Sequence, residues 1–268
     1  MKTRAITGFF FVIIMLSSVL TGQYVFDVFY FLLGSFCLWE FYGLLKSASI
    51  KPNITTALLN GAFIYVIFVL IAYNDDWRKL ILLLPVALSA IAIQELFKNT
   101  ETPFTNIAYT FFGLLFTIVP FSFFHALGYL NGNFNPHLPL AFLLMLWGND
   151  TGAYLVGSKF GRTKLFERHS PKKTWEGFIG GVIITIGIAF ILDRFFTEEP
   201  LQNLVWMAVL ISVFGTVGDL IESMLKRSLN VKDSGGILPG HGGLLDRFDG
   251  LLLAAPIVYA YLYFVTNF

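Results

Sequence analysis

The sequence predicts an all-α, polytopic integral membrane protein with about nine transmembrane helices. Of its 268 residues, 56% are hydrophobic and only 13% are charged, and the mean hydropathy is +0.71, values well outside those of soluble domains. A helix needs about 20 apolar residues to cross roughly 30 Å of hydrocarbon. Nine stretches meet this requirement, with approximate bounds 5–22, 25–45, 55–73, 80–97, 106–128, 138–157, 177–193, 201–222 and 250–266.

The nine stretches are expected to form a single membrane domain over residues 1–268, because no linker, repeat or soluble domain separates them. N-terminal helices occupy 1–130, and 138–268 contains the helices and cytoplasmic loops that carry the predicted site. The first stretch follows the basic sequence "MKTR" and can also be interpreted as a signal peptide. Its length and the poor cleavage pattern of "SVLTGQ" favour a transmembrane helix.

Basic residues predict the orientation. With nine spans and a cytoplasmic N terminus, 15 of the 18 Lys and Arg residues lie on the cytoplasmic side, and only Arg78, Lys79 and Arg194 lie outside. This excess is the usual pattern in membrane proteins, and it places the C terminus outside. Two cytoplasmic loops, 158–176 and 223–249, contain ten of the 15 basic residues, so function is expected on that face.

Composition also excludes several classes of function. The net charge of +1 gives no global basic field, so no nucleic-acid partner is expected. Cys37 is the single cysteine and cannot form an intrachain disulfide. The four histidines are scattered, which does not fit the ligand spacing of a structural zinc site.

Asp150 interrupts the sixth span in "LMLWGNDTGAY", and Asp219 lies deep in the eighth in "FGTVGDLIESMLKR". Ionisable residues inside a hydrophobic segment are functional candidates by default. On a helix, one stripe carries Asp219, Glu222, Ser223 and Lys226. We predict a site role for Asp219, whereas a salt bridge between Glu222 and Lys226 that only joins helices is an equal alternative for Glu222.

The first cytoplasmic loop contains "HSPKKTWEG", in which Ser170 is predicted to cap a helix that begins at Pro171. Lys172 and Lys173 then fall in the first helical turn, where the helix dipole disfavours cations. They are therefore expected to bind an anion, although a basic loop that only anchors the protein would also contain lysines. The GxxxG pattern that follows, Gly177 and Gly181, predicts a helix-packing face.

The second loop contains the Gly-rich sequence "GILPGHGG", which includes Gly242 and Gly243. Glycines let the backbone approach an anion and direct N–H groups at it. A simple turn is the alternative, but the surrounding cationic residues favour an anion site; they are Lys226, Arg227, Lys232, His241 and Arg247.

Asp246 and Asp249 lie three residues apart at the predicted start of the ninth helix, and so project from the same face. The helix dipole stabilises an N-terminal carboxylate by about 0.3 to 1 kcal/mol, which explains one aspartate more easily than two. Paired carboxylates beside basic residues and a phosphate-sized turn are what Mg²⁺ requires, because it bridges carboxylates and substrate phosphates.

The segment 223–249, "SMLKRSLNVKDSGGILPGHGGLLDRFD", resembles the signature of the phosphatidate cytidylyltransferases, the CDP-diacylglycerol synthases. The upstream segments "NDTGAYLVGSKFG" and "SPKKTWEG" also resemble that family. The resemblance is specific over about 147–250 and elsewhere covers only a run of membrane helices. The signature positions that match are Ser223, Lys226, Arg227, Lys232, Asp233, Pro239, His241, Gly242, Gly243, Asp246, Arg247 and Asp249.

The resemblance implies transfer of a cytidylyl group from CTP to phosphatidic acid, which gives CDP-diacylglycerol and pyrophosphate and requires Mg²⁺. It implies Asp219, Asp246 and Asp249 as metal ligands, with a monovalent ion such as K⁺ beside Mg²⁺. It also implies a homodimer in the bacterial inner membrane.

This chemistry needs no general base, because the lipid phosphate monoester is already ionised, with a second pKa of about 6. The protein has to position the substrates and neutralise charge at the α-phosphorus. Lys172 and Lys173 are assigned to the lipid phosphate, and His241 either contacts pyrophosphate or protonates it. Asp150 either contacts the metal or orients its neighbours. The residues assigned to the nucleotide phosphates are Lys226, Arg227, Lys232, His241 and Arg247, with Ser223, Gly242 and Gly243 beside them.

Three other functions are alternatives to this one. A CTP-dependent lipid-alcohol kinase of the polyprenol type would need a base and would release CDP. A CDP-alcohol phosphotransferase would carry a long Asp-Gly and Asp pattern that this sequence lacks. A transporter or channel would account for Asp150 and Asp219 but not for two loops suited to phosphate.

Overall fold

The computed structural model describes residues 2–196, 199–236 and 242–267, and nearly all of this part of the chain is helical. Its α-helices are α1 (Lys2–Leu20), α2 (Gln23–Leu45), α3 (Ile54–Tyr73), α4 (Leu84–Leu96), α5 (Pro103–Gly113), α6 (Val119–Leu127), α7 (His137–Phe160), α8 (Trp175–Leu192), α9 (Leu201–Ser228) and α10 (Asp249–Asn267). Short 3₁₀ segments occupy Lys46–Ala48, Asp75–Leu83 and Leu245–Arg247, and a π-helical turn, Leu114–Ile118, joins α5 to α6 without a break. Two strands, β1 (Lys164–Phe166) and β2 (Ser170–Thr174), lie between α7 and α8.

Seven helical segments within the described ranges are long and apolar enough to cross a membrane. They are Gln23–Ala48, Ile54–Tyr73, Asp75–Leu96, Pro103–Leu127, Trp175–Leu192, Leu201–Ser228 and Asp249–Thr266. The other two predicted spans are also helices, but only the stretch Thr7–Leu20 of α1 is apolar, and α7 contains the polar sequence "WGNDTG". The protein is therefore a helical membrane protein with at least these seven candidate spans.

The predicted helix start at Ser170 and Pro171 is wrong. Ser170–Thr174 is a strand that pairs antiparallel with β1, and α8 begins only at Trp175. The N-cap is Thr174, whose Oγ1 accepts a hydrogen bond of 3.2 Å from the backbone N–H of Gly177. Because a two-stranded sheet leaves its outer edges unpaired, it tolerates a proline that cannot donate. Lys172 and Lys173 thus lie on a strand, and the helix-dipole argument does not apply to them.

The GxxxG prediction is confirmed at the contact between α7 and α8. A Cβ atom on Gly177 would lie 2.8 Å from the carbonyl oxygen of Ala153, and one on Gly181 would lie 2.6 Å from Oδ1 of Asn149. Helices α9 and α10 approach each other in the same way, since a Cβ on Gly250 would lie 3.4 Å from the Cα of Gly215. Small residues therefore bring α7, α8, α9 and α10 into close contact.

Candidate active site

Three carboxylates from two helices form the centre of the candidate site. Helix α9 contributes Asp219 and Glu222, which are three residues apart, and α10 begins with Asp249. One oxygen atom from each carboxylate lies within 4.8 Å of the others. Glu222 is fully buried, whereas the other two are partly accessible. Such an all-oxygen donor set suits a hard divalent cation.

Asp246 lies beside this cluster in the 3₁₀ turn that precedes α10. Its Oδ2 accepts backbone N–H groups of Ser234 at 3.0 Å and Gly243 at 2.8 Å, and its Oδ1 accepts from Nζ of Lys226 at 2.5 Å. Burial alone would raise the pKa of Asp246, but these donors outweigh it and hold the pKa below its usual value. Asp246 is therefore held in its ionised form.

Two lysines form ion pairs with the carboxylates. Nζ of Lys226 lies 2.5 Å from Oε2 of Glu222 and 2.5 Å from Oδ1 of Asp246, so the Glu222–Lys226 salt bridge weighed from the sequence is present. Lys173 reaches from the β-hairpin to form an ion pair with Asp219, which also accepts a hydrogen bond of 3.2 Å from the hydroxyl of Ser223. The hairpin is thereby tied to α9.

Negative charge exceeds positive charge at this site. Six carboxylates lie at or beside the site together with four cationic groups, which leaves a formal excess of two negative charges when all are ionised. The carboxylates are those of Glu40, Asp150, Asp219, Glu222, Asp246 and Asp249, and the cations are those of Lys172, Lys173, Lys226 and Arg247. Carboxylates in close proximity repel one another, so a divalent cation would relieve an imbalance of this size.

Two cavities meet at the cluster, and Asp150 and Asp219 line both of them. The hairpin cavity, about 430 Å³, lies between α7, α8, α9 and the β-hairpin, and its lining includes Tyr154, Lys172, Lys173, Thr174, Phe178 and Thr216. The α1 cavity, about 440 Å³, lies between α1, α7 and the start of α10, and its lining includes Thr7, Phe11, Trp147, Asp246, Arg247 and Asp249. The carboxylates can therefore be approached from two sides.

Some of the remaining residues predicted for the nucleotide phosphates lie at the site, and others lie outside it. Arg227 and Lys232 are exposed and contribute to the lining of neither cavity, and a guanidinium N–H of Arg227 donates to the carbonyl of Val231 at 3.4 Å. Gly242 has a φ of +83°, in the left-handed region that favours glycine. The backbone N–H of Gly243 donates to Asp246, so it stabilises the carboxylate in this structure. His241 lies outside the described residues.

Glu40 is a residue at the site that the sequence analysis missed. It lies on α2 with only 4% of its surface exposed, and its Oε2 accepts the backbone N–H of Leu245 at 2.7 Å and the hydroxyl of Ser234 at 3.2 Å. The oxygen of Ser234 in turn accepts the backbone N–H of Asp246 at 3.4 Å. Glu40 therefore holds both segments of the loop that positions Asp246. A glutamate within an apolar span was the available signal.

The sequence is similar to those of known proteins along nearly its whole length. The sequence matches the profile described as "Cytidylyltransferase family" over residues 2–265. A phosphatidate cytidylyltransferase of Bacillus subtilis (strain 168) is 34% identical over 265 residues, which cover 97% of this chain and 96% of that protein. A protein of the same name from Staphylococcus haemolyticus (strain JCSC1435) is 34% identical over 266 residues, covering 96% and 97%. One from Staphylococcus aureus (strain N315) is 33% identical over 264 residues, covering 96% and 97%.

Proposed function

The chain belongs to the cytidylyltransferase family, and on that premise we propose that it is a phosphatidate cytidylyltransferase. It transfers the cytidylyl group of CTP to phosphatidic acid and releases CDP-diacylglycerol and pyrophosphate for phospholipid synthesis. The observation that carries the proposal is the group of carboxylates at the junction of two cavities. A reaction that joins two phosphate-containing substrates needs one cation within reach of both.

The site fits Mg²⁺, because its donors are all oxygens and its carboxylates, when all are ionised, exceed the neighbouring cations by two. Asp219 and Asp249 would hold the ion, with Glu222 or Asp246 beside them and K⁺ as a second ion. When bound, Mg²⁺ neutralises developing charge on the phosphates and holds them in line. Asp150 lies next to Asp219 in both cavities and orients or completes this set.

The protein's own cations position the phosphates. Lys172 and Lys173 line the hairpin cavity and Arg247 lines the α1 cavity, so each cavity contains a basic side chain for an anionic substrate. No side chain has to act as a base, since the attacking phosphate oxygen is already ionised. Lys226 fixes Glu222 and Asp246 in place. Gly242 and His241 complete the phosphate contacts predicted from the sequence, whereas Arg227 and Lys232 line neither cavity and would contact only phosphates that extend beyond them.

The chain crosses the bacterial inner membrane nine times, with its N terminus and site on the cytoplasmic side and its C terminus outside. The excess of basic residues in the loops that carry the site supports this orientation, and the relatives above are bacterial. CTP is cytoplasmic, whereas the acyl chains of the lipid stay in the bilayer. A homodimer is proposed on the family resemblance alone.

One labelling experiment separates this reaction from its alternatives. Purified protein in detergent receives phosphatidic acid, Mg²⁺ and CTP labelled separately in the cytosine and in the γ-phosphate. We expect cytosine label in the lipid and γ label in pyrophosphate. Asp246→Asn should abolish both, whereas Asp75→Asn should not, because Asp75 is exposed and paired with Arg78 away from the site.

Two results would overturn the proposal. Movement of γ label into a lipid would identify a lipid kinase. Absence of any turnover by the folded wild-type protein, together with uptake of substrate into vesicles, would identify a transporter.

A further inference from the structure

An apolar groove of about 380 Å³ runs between α1 and α2. Thr7 lies at one end, and every other lining residue is hydrophobic, including Phe11 and Met15 from α1 and Leu33 from α2. Thr7 and Met15 are eight residues apart, so the groove follows α1 for about 12 Å. Leu244, from the loop before α10, closes it at one side.

The groove adjoins the α1 cavity. Thr7 and Phe11 line both spaces, and the ring of Phe11 lies 5.9 Å from that of Phe248. The loop that precedes α10 faces both spaces as well, because it presents Leu244 to the groove and Arg247 to the cavity. A charged cavity and an apolar groove therefore lie side by side.

The groove also reaches the apolar outer surface of α1. Ile14, which lines it, is 51% exposed on the outer surface of a helix whose stretch Thr7–Leu20 is apolar. A hydrocarbon chain can enter sideways from the membrane without passing through water. With a divalent cation held by the carboxylates and with Arg247 beside it, the α1 cavity suits an anionic phosphate, and the adjoining groove suits a hydrocarbon chain. A lipid with an anionic phosphate headgroup has both parts.

We infer that the groove between α1 and α2 binds an acyl chain of the phosphatidic acid substrate and directs its phosphate into the α1 cavity. This inference rests on the proposed function and adds the location of the lipid. The nucleotide then occupies the hairpin cavity, where Lys172 and Lys173 can contact its phosphates and Tyr154 and Phe178 offer aromatic surfaces. Lys172 and Lys173 thus serve CTP rather than the lipid phosphate to which the sequence analysis assigned them.

Two matched variants test the groove. Ile14→Trp places a bulky side chain in it, whereas Ile13→Trp makes the same change at the next position of α1, which is 41% exposed and does not line the groove. We expect Ile14→Trp to raise the KM for dipalmitoyl phosphatidic acid about tenfold, the effect of losing the burial of roughly two methylene groups. The KM for CTP and for a short-chain phosphatidic acid should change less than twofold in both variants.

A second readout does not depend on the variants or on turnover. Phosphatidic acid with a photoreactive group at the end of one acyl chain is cross-linked to the wild-type protein, and the labelled peptide is identified by mass spectrometry. Label on the peptides of α1 and α2 supports the inference. Label confined to other helices overturns it, as does an equal effect of both tryptophan variants or of both chain lengths.

The outcomes separate the two proposals. If the wild-type protein forms CDP-diacylglycerol but the cross-links lie on other helices, the proposed function stands and only the proposed location of the lipid is rejected. Lys172→Ala should raise the KM for CTP and leave that for phosphatidic acid unchanged, and the reverse result would exchange the two cavities. Loss of a cross-linkable dimer in Ile14→Trp, without a change in KM, would identify a second copy of the chain as the occupant.

Discussion

Glu95 and Asp249 are both carboxylates placed between apolar helices, but their partners differ in number and charge. Glu95, only 1% exposed on α4, accepts hydrogen bonds at both oxygens, from Asn106 and Thr100 at 2.7 Å and from Asn53 at 2.9 Å. Nζ of Lys98 lies 3.6 Å away and balances its charge. This group is neutral and fully hydrogen-bonded, and it ties α3, α4 and α5 together.

The group around Asp249 is neither neutral nor saturated. Asp249 lies within 4.8 Å of two further carboxylates, and when the carboxylates are ionised the paired lysines do not balance the total charge. A buried polar group that only joins helices is expected to be satisfied internally, as the Glu95 group is. Uncompensated charge at a cavity instead indicates a ligand that supplies the balance.

Of the substitutions in the two groups, Asp249→Asn is expected to have the largest effect on the rate of cytidylyl transfer. Loss of this ligand should lower cytidylyl transfer by more than about 100-fold, since even indirect supporting partners of metal sites contribute 10- to 100-fold. Without Mg²⁺ the thermal midpoint should not fall, because like-charge repulsion is reduced. Mg²⁺ should raise the midpoint of the wild type but not of the variant. A Mg²⁺-dependent rise that persists in Asp249→Asn would place the ion elsewhere.

Glu40→Gln is expected to have an intermediate effect, because Glu40 positions the site without belonging to the carboxylate cluster. The Leu245 N–H and the Ser234 hydroxyl donate to the same oxygen, so the amide oxygen of Gln can accept both, but without the negative charge these hydrogen bonds are weaker and the loop that holds Asp246 should be held less firmly. We expect about a tenfold loss of kcat and a similar rise in the Mg²⁺ concentration for half-maximal rate.

The matched control for Glu40→Gln is Glu95→Gln, the same substitution at a buried glutamate of the other group. A purely structural role of Glu40 would be revealed by a lower thermal midpoint with an unchanged Mg²⁺ requirement. In that case the two glutamates would be equivalent, and the contrast between the groups would apply only to the carboxylates of α9 and α10.

Much of the architecture was predictable, because apolar runs and the spacing of small residues are local sequence patterns that determine where helices form and which faces pack. The nine predicted stretches are all helical, and Gly177 and Gly181 pack as expected. The β-hairpin was not predictable from its own segment, since Ser170 and Pro171 form a credible helix start. Pairing with β1 and the competing cap at Thr174 decide the outcome.

The residues of the site were predictable only in part, because several of their contacts join parts of the chain that are distant in sequence. Asp219 and Glu222 share a stripe in the sequence, but the approach of Asp249 to them depends on how α9 packs against α10. Glu40 acts on Leu245 across 205 residues of sequence. Partners so distant are set by the packing of whole helices, which no local pattern encodes.

The smallest effect on activity is expected for Glu95→Gln, and it should appear as lost stability. The variant replaces charge-assisted hydrogen bonds, leaves Lys98 without its counter-charge and turns an amide N–H towards the donors of Asn53 or Asn106. An unsatisfied buried donor costs about 1–3 kcal/mol, so the thermal midpoint in detergent should fall by several degrees. Glu101→Gln, at an exposed neighbouring position, should leave the thermal midpoint unchanged.

The rate per folded molecule and the Mg²⁺ requirement of Glu95→Gln should stay within about twofold of wild type. The charges and hydrogen bonds of the Glu95 group are satisfied within the protein, so this group does not need an ion. If Glu95→Gln changes the Mg²⁺ requirement, the Glu95 group and the carboxylate cluster around Asp249 are coupled through α2 and α3. The net charge of a buried group would then not tell a structural group from a ligand site.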